Sequence, residues 1–308
     1  MLLRIQRDES LHSYIDRNIV LNWMDPVGEF FKAFAKPSFY YFELKAIASA
    51  MGWPGCRGLN RLLHFHTDYA KYSVFKDDLN LSYSQDAFIS KSWKRVANKF
   101  CARFCPDCVR EDIRTLGFSF WHRSHDHSLE VCAKHNVILE SNCPFCNNGF
   151  DSREHGLEIM WNGCGGHSLA ECVSVTNHDP IKFKESKLLS DIYSCAFHIS
   201  TQTSFKVFYD RLSSINTSQV LKDQYYDNYM AFLKSAASRR RTKYINTEEQ
   251  FMHNRSCFNS IMLIYDNFDS FLNDVRCHEN ALRPIDSLWG TYKTRDKPIF
   301  NYVVDEFR

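Results

Sequence analysis

Two stretches of the sequence decide the fold: residues 105–135, CPDCVREDIRTLGFSFWHRSHDHSLEVCAKH, and residues 143–167, CPFCNNGFDSREHGLEIMWNGCGGH. Each begins with a Cys-x-x-Cys pair and ends with a Cys-x-x-His pair. A pair at this spacing forms a tight turn that points two side chains at one ion, and a second pair completes a tetrahedron. The sequence therefore predicts two metal sites. Their ligands are Cys105, Cys108, Cys132 and His135 in the first, and Cys143, Cys146, Cys164 and His167 in the second.

Closed, thiolate-rich ligand sets of this kind are typical of structural zinc. Four protein ligands leave no open position for a water molecule that a catalytic zinc would activate. We therefore expect two structural Zn²⁺ ions, whose binding supplies folding free energy to a loop-rich segment. The N-terminal residues become charged too early for a secretory signal, and no apolar run is long enough to span a membrane. We therefore expect a cytoplasmic, reducing location, where the 12 cysteines favour metal ligation over disulfides.

Two alternatives remain open within this region. Cys172 could replace His167 as the fourth ligand of the second site. Residues 121–127, WHRSHDH, could form a hydrolytic metal site, but no accompanying motif supplies further carboxylate ligands or a general base. We expect these histidines to lie at the surface or behind the metal ligands. No phosphate-binding loop, dinucleotide fingerprint or nucleophile elbow is present in the sequence, so no enzyme is predicted.

The rest of the chain is predicted to be helical. Asp8, Glu9 and Ser10 precede a first helix, Ser38 precedes a second that ends at Gly52, and helix resumes near 59–65. This is the outline of a helix-turn-helix or of any αα-hairpin. Beyond Pro180 the apolar spacing predicts further helices, most clearly over Phe258–Val275. The predicted fold is mainly α: a helix-turn-helix-like region at 1–100, a tandem zinc-finger module with short β-ribbons at 101–180, and a helical domain at 181–308.

Charge indicates what the zinc module contacts. The chain has a net charge of +2, but residues 105–180 hold 5 Lys and Arg against 11 Asp and Glu. Three thiolates and one Zn²⁺ add a further negative charge at each site. A finger that grips DNA presents Lys and Arg to phosphates, so this module is predicted to be a scaffold or a protein-docking surface. The basic run Arg239–Arg241 with Lys243 is a candidate nucleic-acid contact, or simply a solvated helix C-terminus.

These motifs together resemble the TniQ family of transposon target-selection proteins, which includes TnsD. The resemblance rests on DESLHSYIDR at 8–17, on residues 104–139 and on NCPFCNNGF at 142–150. The family pattern is Cys-Pro-x-Cys, an aromatic-Trp segment and Cys-x-x-His-x-x-x-Leu. It is matched by Cys105, Pro106, Cys108, Trp121, Cys132, His135 and Leu139. The resemblance is weak beyond residue 180, and Cys101 and Cys172 are thiols outside the pattern.

The resemblance implies a non-catalytic adaptor in the bacterial cytoplasm. TniQ proteins connect target recognition to a transposon AAA+ ATPase, which recruits the transposase. Short members of CRISPR-associated transposons dock as a homodimer on the crRNA-loaded Cascade complex and meet target DNA at least indirectly. At 308 residues this chain is expected to belong with them. The alternative is a TnsD-type protein that recognises an attachment site in DNA directly, using the helix-turn-helix near 39–66.

Overall fold

The computed structural model describes residues 2–22, 25–36, 38–53, 55–77, 95–97, 102–125, 127–150, 155–214, 224–238, 247–278 and 281–285. Helices predominate among them, which confirms the predicted fold class. The helices are α1 Leu11–Leu21, α2 Pro26–Lys32, α3 Tyr41–Ala50, α4 Gly55–His66, α5 Ala70–Ser73, α6 Pro106–Leu116, α7 Ile159–Asn162, α8 Pro180–Ser194, α9 Thr201–Ser214, α10 Gln224–Ser238, α11 Thr247–Ile264 and α12 Phe268–Arg276. The strands are β1 Ser38–Tyr40, β2 Arg95–Ala97, β3 Phe197–Ile199 and β4 Leu282–Pro284.

The chain forms two compact units. The first comprises Met1–Pro54, Gly58–Tyr69 and Arg95–Ser194, and the second Gly55–Arg57, Ala70–Lys94 and Cys195–Arg308. Helices α1 to α3, most of α4 and the Cys/His region thus share one unit. The three-part division at residues 100 and 180 stays a prediction. In the described part of the chain, no helix is both long enough and apolar enough to cross a membrane.

Helix α1 begins where the cap residues predict. Ser10 is the N-cap, and its hydroxyl accepts a hydrogen bond from the backbone N–H of Ser13 at 3.1 Å. Glu9, fully buried, receives two hydrogen bonds of 2.8 Å from the Arg17 guanidinium. Such a bidentate pair satisfies both charges away from water. It fixes the chain entering α1 against the face of that helix.

The region predicted as a helix-turn-helix contains its helices in the predicted order, but the first starts later. Residues Ser38–Tyr40 form strand β1, antiparallel to β2, and α3 begins only at Tyr41. The Glu43 side chain accepts the backbone N–H of Tyr40 at 2.8 Å, which caps α3. Gly52 follows α3 with φ +75°, the left-handed conformation that ends a helix without Cβ strain.

Helix α4 is buried over most of its surface. Only Arg61 is exposed between Gly58 and His66, and its guanidinium lies 4.3 Å from the centre of the Trp53 ring. Two polar side chains that a recognition helix could direct at bases, Asn60 and His64, are 1% and 0% exposed. The second helix of this pair therefore packs into the protein.

An aromatic core underlies the Cys/His region. Phe104, Trp121 and Phe150 pack with ring centroids 5.0–6.2 Å apart, in edge-on and tilted arrangements that aromatic rings favour. The Trp121 indole N–H donates to the carbonyl of Leu157 at 2.8 Å. The short β-ribbons predicted for residues 101–180 rest on two alternating stretches, Phe118–Trp121 and Val137–Leu139. Residues 137 and 138 pair with their neighbours through isolated bridges, whereas Phe118–Trp121 forms no strand.

In the second unit, the single helix predicted over Phe258–Val275 is wrong, because the chain breaks into α11 and α12. Asn267 is the N-cap of α12, and its side chain accepts the backbone N–H of Ser270 at 2.9 Å. The break lets Tyr265 pack on Phe271 and donate its hydroxyl to Asp274 at 2.8 Å. Helical spacing continues across the break, which is why the pattern concealed it. The basic run Arg239–Arg241 and Lys243 lies outside the described residues.

Candidate metal centres

The first cluster is built by a helix N-terminus and a tight turn. Cys105 is the N-cap of α6, and its Sγ accepts the backbone N–H of Cys108 at 3.4 Å. Cys132 lies on a turn in which its carbonyl accepts from Asn136 N–H at 3.0 Å and its N–H donates to Val137 at 2.8 Å. Asn136 has φ +53°, which asparagine tolerates better than most residues. Cys132 and His135 thereby face the two cysteines of α6.

The distances fit a tetrahedral ion. His135 Nδ1 lies 3.4 Å from the sulfurs of Cys105 and Cys108 and 3.8 Å from that of Cys132, and Cys108 Sγ lies 3.8 Å from Cys132 Sγ. Zinc bond lengths of about 2.3 Å to sulfur and about 2.0 Å to nitrogen place tetrahedral ligand atoms about 3.5–3.8 Å apart. The four residues predicted from the sequence come together, and they could hold a metal ion.

Electrostatics gives the same result. Hydrogen bonding to Cys105 and Cys132, together with burial, raises the pKa of Cys108 far above that of a free thiol. Three thiolates at this spacing therefore need a cation between them if they are to be ionised together. Behind the cluster, His135 Nε2 lies 3.2 Å from the Glu111 carboxylate, which also pairs with Lys134. A carboxylate on the far nitrogen holds a metal-binding imidazole in its tautomer and orientation.

The second cluster repeats the turn of the first. The Cys143 carbonyl accepts from Asn147 N–H and the Cys143 N–H donates to Asn148, both at 2.8 Å, and Asn147 has φ +64°. This is the hydrogen-bond pattern of Cys132, Asn136 and Val137. Cys143 and Cys146 thus take the places that Cys132 and His135 hold in the first cluster, and Cys164 approaches them from α7.

The fourth position of this cluster holds His155 where His167 was predicted. His155 Nε2 lies 2.9 Å from Cys146 Sγ, and the ligand atoms of Cys143, Cys146, His155 and Cys164 all lie within 4.8 Å of one another. His167 instead stacks on Phe145 at 4.9 Å and places Nδ1 2.9 Å from the Glu171 carboxylate. The alternative ligand, Cys172, lies outside this group of four, and its thiol donates to the Val173 carbonyl at 3.6 Å.

The backbone explains why the Cys164–His167 pair does not match the first site. Cys164 and His167 exchange two backbone hydrogen bonds, of 2.9 and 3.0 Å. Gly165 and Gly166 have φ +59° and +88°, so that the segment closes as a two-residue hairpin turn. The Gly-Gly dipeptide was the sequence signal that this pair forms a different turn. In the two turns that point both ligands at one ion, the pair is followed by an asparagine, Asn136 or Asn147, and has no glycines between its ligands. His155 lies outside any paired spacing, and nothing in the sequence marked it.

The two clusters differ in exposure. In the first, the three cysteines are buried and His135 is half-buried. In the second, Cys143 alone is buried, and Cys146 is exposed. The backbone N–H of Asn148 is the main cause that lowers the pKa of Cys146, to about 7. The thiols of the second cluster are therefore the more accessible to solvent and reagents.

The histidines of residues 121–127 take separate positions. His122 Nε2 lies 2.8 Å from Asp112 and its Nδ1 lies 3.3 Å from Asp8. His125 is buried and its Nε2 lies 3.6 Å from Cys108 Sγ. Asp126 lies outside the described residues. His122 is thus an ion-pair partner and His125 a neighbour of the first cluster, and among the described residues neither belongs to a group that could hold a metal ion.

The remaining cysteines carry less information. Cys195 and Cys257 are buried, as expected for small core side chains, whereas Cys277 is exposed. Cys101 and the side chain of Cys56 lie outside the described residues.

The N-terminal motif and the aromatic segment of the family pattern lie against each other. Ser10 N–H donates to the Trp121 carbonyl and Trp121 N–H donates to the Ser13 hydroxyl, both at 3.0 Å. Asp8 accepts from the backbone of Arg123 at 2.7 Å and binds Ser124 through its carboxylate. Residues separated by more than 100 positions therefore form one structural element beside the first cluster.

Fold and site define a mainly helical protein with two Cys/His clusters that could hold metal ions. The TniQ family model matches residues 1–139, which supports membership of the chain in the TniQ family. The match includes the first cluster and ends before the second. The match associates residues 1–139 with a family of transposon target-selection proteins. No curated protein matches the chain.

Proposed function

We propose that the protein is a transposition adaptor without chemistry of its own. It links a crRNA-loaded Cascade complex to the transposon AAA+ ATPase, which brings the transposase to the target. The observation that carries this proposal is the TniQ match over residues 1–139. The hydrogen bonds that join Ser10 and Ser13 to Trp121 agree with it, because they connect the N-terminal motif and the aromatic-Trp segment of the matched region.

Two structural zinc ions complete the proposal. The donor sets, three thiols and one imidazole each, are those that zinc favours at closed sites. The proposed ligands are Cys105, Cys108, Cys132 and His135 in the first site, and Cys143, Cys146, Cys164 and His155 in the second. Zinc would stabilise the loops of residues 102–177. The other interactions that stabilise them are isolated β-bridges and a small aromatic core. The bacterial cytoplasm, where thiols stay reduced, suits these sites.

The second candidate function is direct recognition of DNA by the helices of residues 41–66. Their order favours it, but two observations weigh against it. Helix α4 buries Asn60 and His64, which leaves Arg61 as the exposed polar side chain between Gly58 and His66. Residues 105–180 are acidic and would repel phosphates. We therefore propose that the protein meets target DNA through a protein partner. The resemblance to the short family members favours a homodimer as the form that acts.

A paired binding experiment separates the two functions. The full chain is tested for co-purification with crRNA-loaded Cascade and with the AAA+ ATPase, and for duplex DNA binding across a salt series. The adaptor function predicts stable protein complexes and only weak DNA binding without sequence preference. Arg61→Glu should leave the protein complexes unchanged, as should Arg114→Glu, a matched exposed change on α6.

Sub-micromolar, sequence-selective DNA binding with a steep salt dependence would overturn the adaptor proposal. Loss of that binding in Arg61→Glu but not in Arg114→Glu would assign it to α4. Zinc is measured on the same preparations, so that a failure of protein binding is distinguished from a failure of folding.

A further inference from the structure

His125 lies next to the first cluster, although it is not one of the four ligands that the sequence pattern predicts there. Its side chain is buried, with 6% of the residue exposed. Its Nε2 lies 3.6 Å from Cys108 Sγ. Its Nδ1 is also buried and has no hydrogen-bond partner among the described residues.

The surrounding chain holds the imidazole in this place. The backbone N–H of His125 donates to the His122 carbonyl at 3.2 Å, which closes a turn, and the two rings pack 4.9 Å apart. Within that turn, the Arg123 backbone N–H and the Ser124 hydroxyl donate hydrogen bonds to Asp8. These hydrogen bonds hold the His125 ring next to the Cys108 sulfur.

A neutral imidazole has one N–H, and burial makes an unmatched N–H unfavourable. Nε2 faces a sulfur, whereas Nδ1 faces no acceptor in the described part of the chain. A proton on Nε2 is therefore favoured, which makes His125 a donor to Cys108. The 3.6 Å separation is within the usual range for a hydrogen bond to sulfur, whose radius exceeds that of oxygen.

We propose that His125 is a positioning residue of the first zinc site, which donates an Nε2–H···Sγ hydrogen bond to the Cys108 thiolate. This inference rests on the zinc ligands proposed above. Three thiolates and one Zn²⁺ leave the site with a net negative charge. A hydrogen bond donated to one sulfur stabilises part of that negative charge. The bond holds the Cys108 side chain in its ligand geometry and makes its sulfur a weaker nucleophile. Zinc is consequently released more slowly.

Two amide variants test the donor atom by atom. In His125→Gln the side-chain N–H₂ can reach the place of Nε2, whereas in His125→Asn it reaches only the place of Nδ1. The exposed His178→Gln is the control. Each zinc-loaded full chain is challenged with a chromogenic chelator, and Cys146→Ser identifies the release phase of the second cluster.

We expect His125→Gln, His125→Asn and His178→Gln to be isolated with the wild-type zinc content, whereas Cys146→Ser removes a ligand of the second cluster. The first cluster of His125→Asn should release zinc about 10- to 100-fold faster than wild type, the range typical of partners behind metal ligands. His125→Gln should restore most of the difference, and His178→Gln should match wild type. In Co²⁺-loaded protein, the sulfur-to-cobalt charge-transfer band should move to lower energy in His125→Asn only, because an unbonded thiolate is the better electron donor.

Equal release rates in wild type and His125→Asn, with an unmoved band, would overturn the proposal. Equal acceleration by Gln and Asn would also overturn it, because the ring would then act by packing alone. Loss of a whole zinc equivalent in His125→Asn would make His125 a ligand and refute the positioning role. Wild-type protein without zinc at the first cluster would instead refute the zinc sites themselves, so the two failures are distinguishable.

Discussion

His155 places its Nε2 2.9 Å from the Sγ of Cys146, with 8 residues between the two in the sequence. That contact closes the second cluster with an imidazole supplied by the loop that leads into α7. The Cys-Gly-Gly-His hairpin supplies Cys164 to the same cluster and directs His167 elsewhere, onto Phe145 and Glu171. The composition of the second site, three cysteines and one histidine, is as the sequence predicts, but with a different histidine.

Replacing His155 tests this assignment. His155→Phe should reduce the zinc content from two ions per chain to one, because three cysteines alone leave the tetrahedron open. His167→Phe is the matched control and should retain two ions. Inductively coupled plasma mass spectrometry of the desalted proteins measures both. The opposite result, with zinc lost from the His167 variant alone, would restore the sequence-based ligand.

Removing the carboxylate behind His135 should weaken the first site without abolishing it. Glu111 lies 3.2 Å from His135 Nε2, and Glu111→Gln replaces its charge with a weaker acceptor. We expect about tenfold lower zinc affinity at the first cluster, measured by competition with a chelator. Glu171→Gln makes the same change beside His167 and should leave zinc binding at both clusters unaltered. A tenfold loss in that control would show that His167 contributes to the second site.

The ion pairs of His122 predict a pH dependence of stability. Burial alone would lower the pKa of His122, but the hydrogen bonds and charges of Asp112 and Asp8 outweigh it and raise the pKa to about 9. Since the unfolded value is about 6.5, the stabilisation is complete below about pH 6.5 and is lost as the pH rises through 9. His122→Gln should therefore lower the free energy of unfolding by about 1–3 kcal/mol at pH 6.5, with the difference shrinking toward pH 9.5.

Urea unfolding of wild type and His122→Gln at several pH values measures this difference. A difference that stays constant from pH 6.5 to 9.5 would show that His122 acts by packing and not by charge. His178→Gln, at an exposed position, gives the baseline for a histidine replacement.

Replacing Asp16 should raise the free energy of unfolding, whereas replacing His122 should lower it. Burial, and secondly the charge of Glu158, raises the pKa of Asp16 to about 7. An acid whose pKa is raised on folding destabilises the protein as the pH rises from the pKa of the unfolded state, about 3.9, to the pKa of the folded state. Above that pH the destabilisation stays constant. Asp16→Asn should therefore stabilise the protein by about 1–3 kcal/mol at pH 8 and by roughly half as much at pH 5.5.

Denaturant unfolding at the two pH values tests the Asp16 prediction, with Asp210→Asn as an exposed control. No gain at pH 8 would mean that the carboxylate is solvated or paired in solution.

The sequence by itself determined the features that depend on local chemistry. Paired cysteines and histidines at fixed spacing identified seven of the eight residues that form the two clusters, because short turns set the direction of both side chains in a pair. Local capping groups at Ser10 and Gly52 predicted a helix start and a helix end. The motifs also predicted a resemblance to the TniQ family, whose model matches residues 1–139 but not the motif at 142–150.

Only the tertiary structure decided what depends on contacts between distant residues. His155 becomes a ligand candidate because the chain folds back to Cys146, and no spacing rule covers a single histidine in a loop. The burial of α4, which argues against a DNA-reading helix, comes from packing that helical periodicity does not reveal. The placement of His125 against Cys108 depends on Asp8 holding residues 123 and 124 from more than 100 positions away. Sequence spacing records the geometry of a turn, whereas these relationships arise only when separate turns meet.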